Sequence, residues 1–545
     1  MKPRIGGHIL VDGLKNYGVT TVFNVPGESF LAALDGFYMH SDSINLVTCR
    51  QEGGVTYMAE AYAKATGNPG VAFVTRGPGA SNAMIGIHTA FQDSTPLLLF
   101  IGQVSRQDLG REAFQELDYN EVFGGVAKKT FSIERADQIP EVLREAWSAA
   151  ISDRPGPVTI SLPEDMLREE STVDDLPKPD FLEHQPDEEK FTHFAELLQH
   201  SKHPVLLSGG AGWSGEASKF LTEFSERQNI PVIASFRRQD TIDNHHPNFV
   251  GELGLKPNPK LVEYAQSADL FIAVGPRIGD ITTSGYTVFP VPDFFPDSLN
   301  RRLVHIHVDN SELGRVYKPD IGIQSHPAAF LRKALDLPKR IHSTSADCIR
   351  LRREYEEFVA EPRNLSSSVR MDRITEWLRS VLPQDFIVAS GAGNCSVWAQ
   401  RGMQFRRYPS QLAPTNGSMG YGVPAGIAAK LAHRDRVVLS FNGDGCFQMN
   451  GQEIATAVQY RLGVIFLVIN NNSLGTIRSH QEHHYPRHVV ATDLLNPDFA
   501  ALAVAYGAVG ETVEKTDEFQ AAFERAMAWC ERESLPALIE VKIDY

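Results

Sequence analysis

The sequence contains few cysteines and no excess of positive charge. Five cysteines occur in 545 residues, and no two of them form a CxxC pair. This argues against a disulfide framework and against a cysteine-based zinc site. Lys and Arg number 52 against 67 Asp and Glu, for a net charge of -15. A negative balance of this size opposes broad contacts with nucleic acid or an anionic membrane, so any bound phosphate must be held by local contacts.

Long apolar runs are also missing. The longest, near Val464–Ile469, are far shorter than the roughly 20 residues of a membrane-spanning helix. Asp12 and Lys15 interrupt the only apolar stretch near the N-terminus, so no secretory signal is expected. Together with the scarce cysteines, these features predict a cytoplasmic protein without a membrane span.

The length exceeds what one hydrophobic core organises, so several domains are expected. Apolar residues make up 42% and charged residues 22%, which is typical of globular proteins. Short runs of Val, Ile, Leu and Phe alternate with helical patterns along the chain, which indicates βαβ units. We therefore predict an α/β fold with three doubly wound parallel-sheet domains.

Polar segments divide the predicted strands into three groups. The acidic, proline-containing segment Glu169–Lys190 has the composition of a linker. A charged helical stretch, Cys348–Ala360, separates the second group from the third. These changes in composition predict domains over residues 1–170, 190–340 and 365–545.

Two polar clusters follow consecutive predicted strands in the third domain. One strand ends in the segment Asn442–Gly445, and the next ends in Asn470–Asn472. Because ligands bind at the carboxyl ends of strands in open α/β sheets, the two clusters should be neighbours. Asp444 and Asn471 carry the oxygen ligands that Mg²⁺ takes, and the flanking glycines let a phosphate approach the backbone. Gly-Asp-Gly alone is more often a surface turn, but the asparagines favour a metal and phosphate site.

Three segments carry a resemblance to thiamine-diphosphate enzymes. Asp444 and Asn471, 27 positions apart, look like the diphosphate and metal signature of this family. Thr48–Gln103 resembles the pyrimidine-binding domain of acetolactate synthases and related 2-oxoacid decarboxylases and oxidases, and Asn416–Ala432 resembles their thiazolium-side segment. The resemblance covers essentially the whole chain. It implies a pyrimidine-binding domain, a middle Rossmann-like domain and a diphosphate-binding domain, with thiamine diphosphate and Mg²⁺ as cofactors.

The resemblance also implies individual roles in the cofactor site. Glu52 aligns with the glutamate that hydrogen-bonds the pyrimidine ring and so helps to form the ylide. Met419 stands where the family places an apolar side chain beneath the bent cofactor. Further cofactor-binding positions are implied in the loop Gly391–Cys395 and around the metal motif, namely Gly391, Gly393, Asn394, Gly443, Asp444, Gly445, Cys446 and Asn471. The implied metal ligands are Asp444, Asn471 and the carbonyl of Ser473.

Candidate substrate residues leave alternatives open. Gln115 and the pair Lys128-Lys129 resemble a pattern that lines the substrate channel, although a lysine pair is usually solvated. Glu28 stands where pyruvate-type decarboxylases carry an acid, or it stabilises a helix N-terminus. His480 belongs to a His-rich segment that we interpret as a loop at the rim of the site, with one histidine as a proton donor, rather than as a metal site.

Several departures from the acetolactate synthase pattern indicate a different acceptor pocket. Gly391 replaces a frequent Asp, Gln51 a frequent His, and Arg76 a small polar residue. The middle domain of the family binds FAD, ADP or nothing. Here Gly254–Asn258 replaces the FAD-contacting pattern, so we predict no functional flavin, while the glycine-rich turn Gly209–Gly212 leaves one possible.

We therefore predict a carboligase or decarboxylase that acts on a 2-oxoacid through ylide and enamine intermediates, with an aldehyde or ketone as acceptor. The alternatives are a non-oxidative 2-oxoacid decarboxylase, a 2-hydroxyacyl-CoA lyase, a flavin-linked oxidase, and a catalytically silent cofactor-binding regulatory subunit. In this family the two halves of one site come from different subunits. The resemblance thus implies a homo-oligomer, either a dimer or a tetramer.

Overall fold

The computed structural model describes residues 2–289, 301–362 and 367–544. In these ranges it contains three parallel six-stranded sheets, each flanked by helices, and one two-stranded antiparallel sheet. The predicted α/β class with three domains is confirmed. The predicted domain ends at residues 1, 365 and 545 lie outside the described residues. Among the helices of the described ranges, none is long and apolar enough to cross a membrane.

The first domain contains the strands β1 (Arg4–Ile5), β2 (Thr21–Asn24), β3 (Asn45–Thr48), β4 (Gly70–Val74), β5 (Leu97–Gln103), β6 (Lys129–Ser132), β7 (Pro157–Pro163) and β8 (Glu170–Ser171). Its helices are α1 (Gly6–Asn16), α2 (Leu31–Met39), α3 (Glu52–Thr66), α4 (Gly77–Asp93), α5 (Tyr119–Phe123) and α6 (Ile139–Ile151). The strand order is β3-β2-β4-β5-β7-β6, while β1 pairs antiparallel with β8. Helices cover both faces of the sheet, so central strands such as β5 are buried throughout and read as continuous apolar runs.

The middle domain contains the strands β9 (Pro204–Ser208), β10 (Val232–Ser235), β11 (Phe249–Leu253), β12 (Leu270–Val274), β13 (Arg302–His307) and β14 (Ile321–Gln324). Its helices are α7 (Glu188–His200), α8 (Gly215–Gln228), α9 (Pro259–Ser267), α10 (Pro327–Ala334) and α11 (Ala346–Ala360). The strand order is β11-β10-β9-β12-β13-β14. This is the order of a dinucleotide-binding Rossmann sheet.

The third domain contains the strands β15 (Ile387–Ser390), β16 (Gln411–Leu412), β17 (Val438–Gly443), β18 (Ile465–Asn470), β19 (Val509–Val513) and β20 (Ala537–Lys542). Its helices are α12 (Met371–Val381), α13 (Asn394–Gly402), α14 (Gly422–Ala432), α15 (Asp444–Phe447), α16 (Ile454–Gln459), α17 (Gly475–His484), α18 (Phe499–Ala505) and α19 (Phe519–Glu533). The strand order, β16-β15-β17-β18-β20-β19, repeats the topology of the first domain. In both sheets one strand, β2 or β15, has the next two strands of the sequence on its two opposite sides. Such a switch in strand order is where open α/β sheets bind ligands.

The first and third domains share one hydrophobic core. Helix α3 packs on α14, and buried residues of both sheets belong to the same cluster. The rings of Tyr57 and Tyr421 meet edge to face, with centroids 5.4 Å apart. The hydroxyl of Tyr421 donates a 2.6 Å hydrogen bond to the fully buried carboxylate of Glu60. Burial of apolar side chains and this buried hydrogen bond together fix the position of the first domain relative to the third.

A buried ion pair joins the first domain to the middle one. Arg154 Nη1 lies 2.8 Å from Glu312 Oε1, and their side chains are only 10% and 6% exposed. Arg315 lies equally close to the same oxygen, but its side chain is 60% exposed. Burial opposes ionisation of Glu312, yet the two guanidinium groups outweigh it and lower the pKa of this carboxyl.

We expect Arg154→Ala to lower the free energy of unfolding by about 3–5 kcal/mol, because it leaves the Glu312 carboxylate buried without its buried partner. The matched control Arg315→Ala removes an exposed partner of the same oxygen and should cost about 0–1 kcal/mol. Urea unfolding of the two variants measures the difference. Equal losses of unfolding free energy in the two variants would show that burial of the Arg154–Glu312 pair does not contribute to stability.

Candidate active site

A cavity of about 250 Å³ lies at the carboxyl ends of the third sheet. Strands β15, β17 and β18 are adjacent and end beside it. The residues that line it include Gly393, Asn394, Met419, Asp444, Cys446 and Asn471. The structure therefore brings together most of the cofactor and metal positions predicted in this domain.

Asp444 is the first residue of α15, and its carboxylate is held by three N–H donors. Oδ1 accepts the N–H of Gly445 at 2.9 Å, while Oδ2 accepts the N–H of Ser473 at 3.2 Å. The amide of Asn496 donates to Oδ2 at 2.7 Å. Burial raises the pKa of Asp444, although these hydrogen bonds favour the charged form. The carboxylate is thus oriented at the point where β17 ends.

Asn471 and Ser473 lie beside this carboxylate, at the end of β18. Asn471 Oδ1 accepts the N–H of Ser473 at 3.2 Å, which folds the chain back toward Asp444. Asn496 also donates to Asn470 Oδ1 at 2.9 Å and so connects the two strand ends. Sequence reasoning missed Asn496. Its neighbour Asp498 caps α18, and nothing in the local pattern signals that Asn496 reaches back to Asp444.

The segment Gly391–Cys395 is only partly a loop, because α13 begins at Asn394. Thr476 Oγ1 accepts the N–H of Asn394 at 2.9 Å, and Gly393 has a φ of +94°, a conformation that favours glycine. A Cβ at Gly391 would lie 2.3 Å from Cys446 Sγ. The sulfur thus occupies the space that a side chain at residue 391 would need.

Cys446 is buried, and its sulfur accepts the N–H of Gly420 at 3.1 Å. Burial raises the pKa of the Cys446 thiol, and it raises the pKa of the neighbouring Cys395 to about 12. Because the Cys446 sulfur is buried and accepts a hydrogen bond from the backbone, its surroundings favour a packing role over nucleophilic chemistry.

Met419 lines the cavity beside the Gly-Asp-Gly turn. Its terminal methyl lies 3.8 Å from the position that a Cβ at Gly445 would occupy. The hydroxyl of Tyr57, from the first domain, donates to the Met419 carbonyl at 3.1 Å and lies 2.6 Å from Ser418 Oγ. The backbone beneath the cavity is therefore held by the shared core.

Glu52 is the first residue of α3 and lies at the carboxyl end of the first sheet. Asn82 Nδ2 donates to Glu52 Oε2 at 2.9 Å, and Oε1 would lie 3.3 Å from a Cβ at Gly79. The preceding Gln51 caps α3 by accepting the N–H of Gly54. Glu52 does not line the cavity of about 250 Å³, which the described residues of the third domain form alone.

Glu28 and Gln115 lie at the same edge of the first sheet as Glu52. Glu28 is exposed and begins a one-turn 3₁₀ helix after β2. Gln115 has a φ of +68°, and its carbonyl accepts the N–H of Gly77 at 2.9 Å. The pair Lys128-Lys129 lies instead at the amino end of β6, where the two ammonium groups contact the Ser152 carbonyl and Glu145.

His480 lies on α17, so the interpretation of this segment as a loop is wrong up to residue 484. The His480 ring is exposed, stacks 6.2 Å from the ring of His484 and does not line the cavity that the described residues form. Within the described ranges, no three His, Cys, Asp or Glu side chains lie close enough together to hold a metal. Asp444 is the only one of these residue types in the set formed by Asp444, Asn471 and the Ser473 carbonyl, so the absence of such a group among the described residues does not concern that set.

A larger cavity, of about 430 Å³, lies where the middle domain meets the other two. Its walls include the cationic side chains Lys64, Arg238, Arg277 and Arg315. The glycine-rich turn at its edge is explained by packing, because a Cβ at Gly210 would lie 2.1 Å from the carbonyl oxygen of Gly275. Residues 255–258 line a different, smaller cavity.

Comparisons with known proteins agree with this geometry. The chain matches family models described as the N-terminal TPP binding domain of thiamine pyrophosphate enzymes over residues 4–122, the central domain over 191–334, and the C-terminal TPP binding domain over 391–541. It is 34% identical to the acetolactate synthase large subunit of Lactococcus lactis subsp. lactis (strain IL1403) over 522 residues, 93% of this chain and 88% of that protein. The chain belongs to the thiamine pyrophosphate enzyme family. The resemblance inferred from the sequence is therefore confirmed.

Other relatives of this thiamine pyrophosphate enzyme carry similar names. It is 30% identical to acetolactate synthase of Mycobacterium bovis (strain ATCC BAA-935 / AF2122/97), over 94% of this chain and 84% of the relative. It is 28% identical to the acetolactate synthase isozyme 2 large subunit of Escherichia coli (strain K12), over 99% and 95%. The protein is thus a thiamine pyrophosphate-dependent enzyme of the acetolactate synthase-like group. The oxygen donors at Asp444 and Asn471 and the glycines beside them fit a cofactor that carries a diphosphate and a hard cation.

Proposed function

We propose that this enzyme is a Mg²⁺- and thiamine diphosphate-dependent carboligase that decarboxylates a 2-oxoacid and passes the carbanion to an aldehyde or ketone acceptor. The observation that carries the proposal is the cluster of Asp444, Asn471 and Ser473 at the ligand-binding edge of the third sheet. The names of the relatives support an acetolactate-forming reaction. When bound, the cofactor supplies the electron sink for the carbanion.

The third domain supplies the anchor in this proposal. Asp444, Asn471 and the Ser473 carbonyl hold Mg²⁺ through oxygen atoms. Met419, which lines the cavity, would support the cofactor rings by apolar contact. Backbone groups of Gly393, Asn394, Gly443, Gly445 and Cys446 would hold the diphosphate, because these residues line the cavity at the ends of β15 and β17, and Gly391 follows β15 directly. The domains that divide these tasks span residues 1–170, 190–340 and 365–545.

The first domain supplies the proton chemistry. Asn82 orients the Glu52 carboxyl, which would hydrogen-bond the pyrimidine ring of the bound cofactor and share a proton with it. Glu28 and Gln115, at the same sheet edge, face the substrate carboxylate or the acceptor carbonyl. His480, exposed in the middle of α17, donates a proton to the substrate in the assembled enzyme.

The proposed cofactor site is completed in a homodimer, or in a tetramer that consists of two such dimers. Glu52 does not line the Asp444 cavity of its own chain, which supports a site completed by a second copy. Exposed apolar side chains flank both halves. They are Ile85 and Phe114 beside the first, and Met449, Ile477 and Leu495 beside the second. Exposed apolar surface of this kind marks an interface, and contacts between copies of one chain are commonly two-fold symmetric.

Other reactions of the same site are kept as alternatives. Simple non-oxidative decarboxylation, cleavage of a 2-hydroxyacyl-CoA and flavin-linked oxidation all use the same anchored cofactor. A silent regulatory subunit would retain the cofactor without turnover, and the oriented Glu52 carboxylate argues against it. The cytoplasmic location stays a prediction from composition.

Glu52→Gln should retain thiamine diphosphate but lower kcat by about 10²–10⁴-fold, because the amide cannot share a proton with the pyrimidine ring. Turnover of 2-oxoacids and cofactor binding by titration calorimetry measure the two effects separately. Wild-type turnover by this variant would remove Glu52 from the mechanism.

Asp444→Ala should lose Mg²⁺-dependent retention of thiamine diphosphate, because the best-oriented anionic ligand of the proposed metal is gone. Equilibrium dialysis with and without a chelator tests this directly. Tight binding that a chelator does not affect would contradict the metal assignment.

The same two variants test whether the site is shared between chains. Glu52→Gln and Asp444→Ala chains, co-expressed with different affinity tags, give a mixed dimer in which one site is intact and the other has both changes. Its activity should be about half that of the wild-type enzyme, although each parent is nearly inactive. An inactive mixed dimer would place both residues in one chain's own site.

We expect purified enzyme to carry no flavin in the cavity of about 430 Å³, because packing accounts for the glycine-rich turn and residues 255–258 lie elsewhere. An absorbance band at about 450 nm that persists through gel filtration would contradict this expectation and favour the flavin-linked alternative.

A further inference from the structure

The chain immediately before Glu52 is held by a carboxylate from the third domain. Glu453 Oε1 accepts the N–H of Arg50 at 2.9 Å and the N–H of Gln51 at 3.1 Å. Glu453 is fully buried and lies in a one-turn 3₁₀ helix, Gly451–Glu453, that follows the Asp444 turn. Its side chain therefore crosses the boundary between the two domains.

The position of this carboxylate is fixed on its other sides. Thr456 Oγ1 donates to Glu453 Oε2 at 2.5 Å. A Cβ at Gly54 would lie 2.6 Å from Glu453 Oε1, so the carboxylate can approach α3 only because residue 54 is glycine. In the described part of the chain Glu453 has no ion-pair partner, and its donors are N–H and O–H groups.

Neighbouring contacts hold the same stretch of chain. The Tyr460 hydroxyl accepts the N–H of Thr48 at 2.7 Å and donates to the Leu46 carbonyl at 3.1 Å. The Arg50 guanidinium donates to Gln459 Oε1 at 2.7 Å. Residues 453–460 thus hold residues 46–51 at several points, and Glu453 is the contact nearest to Glu52.

We propose that Glu453 is a positioning residue for Glu52: it fixes the backbone at the start of α3 so that the Glu52 carboxyl meets the cofactor at the correct distance and angle. The proposal rests on the proposed function, since it assigns Glu453 to the step in which Glu52 shares a proton. A displacement of about 1 Å at such a group lowers rates by about 10²-fold. Loss of the Glu453 carboxylate leaves the backbone N–H groups of Arg50 and Gln51 without an acceptor among their described contacts.

The test compares Glu453→Ala with Glu453→Gln in the holoenzyme. For Glu453→Ala we expect kcat and the rate of exchange of the acidic thiazolium proton of bound thiamine diphosphate to fall about 10- to 100-fold, with KM for the 2-oxoacid and cofactor affinity within about threefold of wild type. Glu453→Gln keeps an acceptor oxygen and should recover both rates to within about threefold. Acid quench and proton NMR measure the exchange.

A second readout does not depend on the cofactor. Amide hydrogen exchange of residues 46–54, followed by mass spectrometry without thiamine diphosphate, should be faster in Glu453→Ala and near wild type in Glu453→Gln. The matched control is Glu312→Ala, which removes a buried carboxylate at another domain boundary. It should destabilise the protein and change neither exchange rate.

Three outcomes would overturn the proposal: wild-type proton exchange in Glu453→Ala, unchanged amide exchange near residue 50, or an equal effect of Glu312→Ala. They differ from failure of the proposed function. If Glu52→Gln itself leaves turnover unchanged, the role of Glu52 is wrong, whereas a defective Glu52→Gln with a normal Glu453→Ala removes only the positioning role.

Discussion

The packing of α3 on α14 is the constraint on which the rest of the structure depends. It joins the first and third domains through one core, with Tyr57, Tyr421 and Glu60 at its centre. Helix α3 begins at Glu52, and α14 follows the Met419 turn directly. A single buried interface therefore sets both the start of α3, where Glu52 lies, and the backbone at Met419, which lines the candidate cavity. Glu52 itself does not line that cavity in the same chain.

The polar end of the third sheet shows how the protein holds charged and polar atoms ready for a ligand. Asp444 is buried, but its oxygens accept N–H groups from Gly445, Ser473 and Asn496. A carboxylate supported in this way keeps its orientation at little cost when a cation arrives. The neighbouring glycines and buried thiols leave the cavity wall free of competing charge. The site is thus prepared by backbone and amide groups rather than by a second acidic side chain.

Much of this arrangement is predictable from the sequence. Apolar runs such as Leu97–Ile101 identify the strands of the sheets. A strand that is buried on both faces does not alternate polar and apolar residues, so it appears in the sequence as a continuous apolar run. The Gly-Asp-Gly and asparagine clusters identify the cavity, because parallel strands end at one edge. Contacts between distant segments are not predictable in this way. Asn496 bonds Asp444 from 52 positions away in the sequence, and Glu453 bonds Gln51 from 402 positions away. No local sequence pattern indicates contacts between residues so far apart. The helix α17 was missed because its histidines resemble a polar loop.

The thiol of Cys446 and the missing side chain of Gly391 occupy one volume, since a Cβ at residue 391 would overlap the sulfur. The two positions are therefore epistatic. A side chain at residue 391 requires the Cys446 sulfur to move away, either by rotation of the cysteine side chain or by replacement with a smaller residue. The stability cost of a side chain at residue 391 should therefore be smaller when residue 446 is glycine or alanine than when it is cysteine.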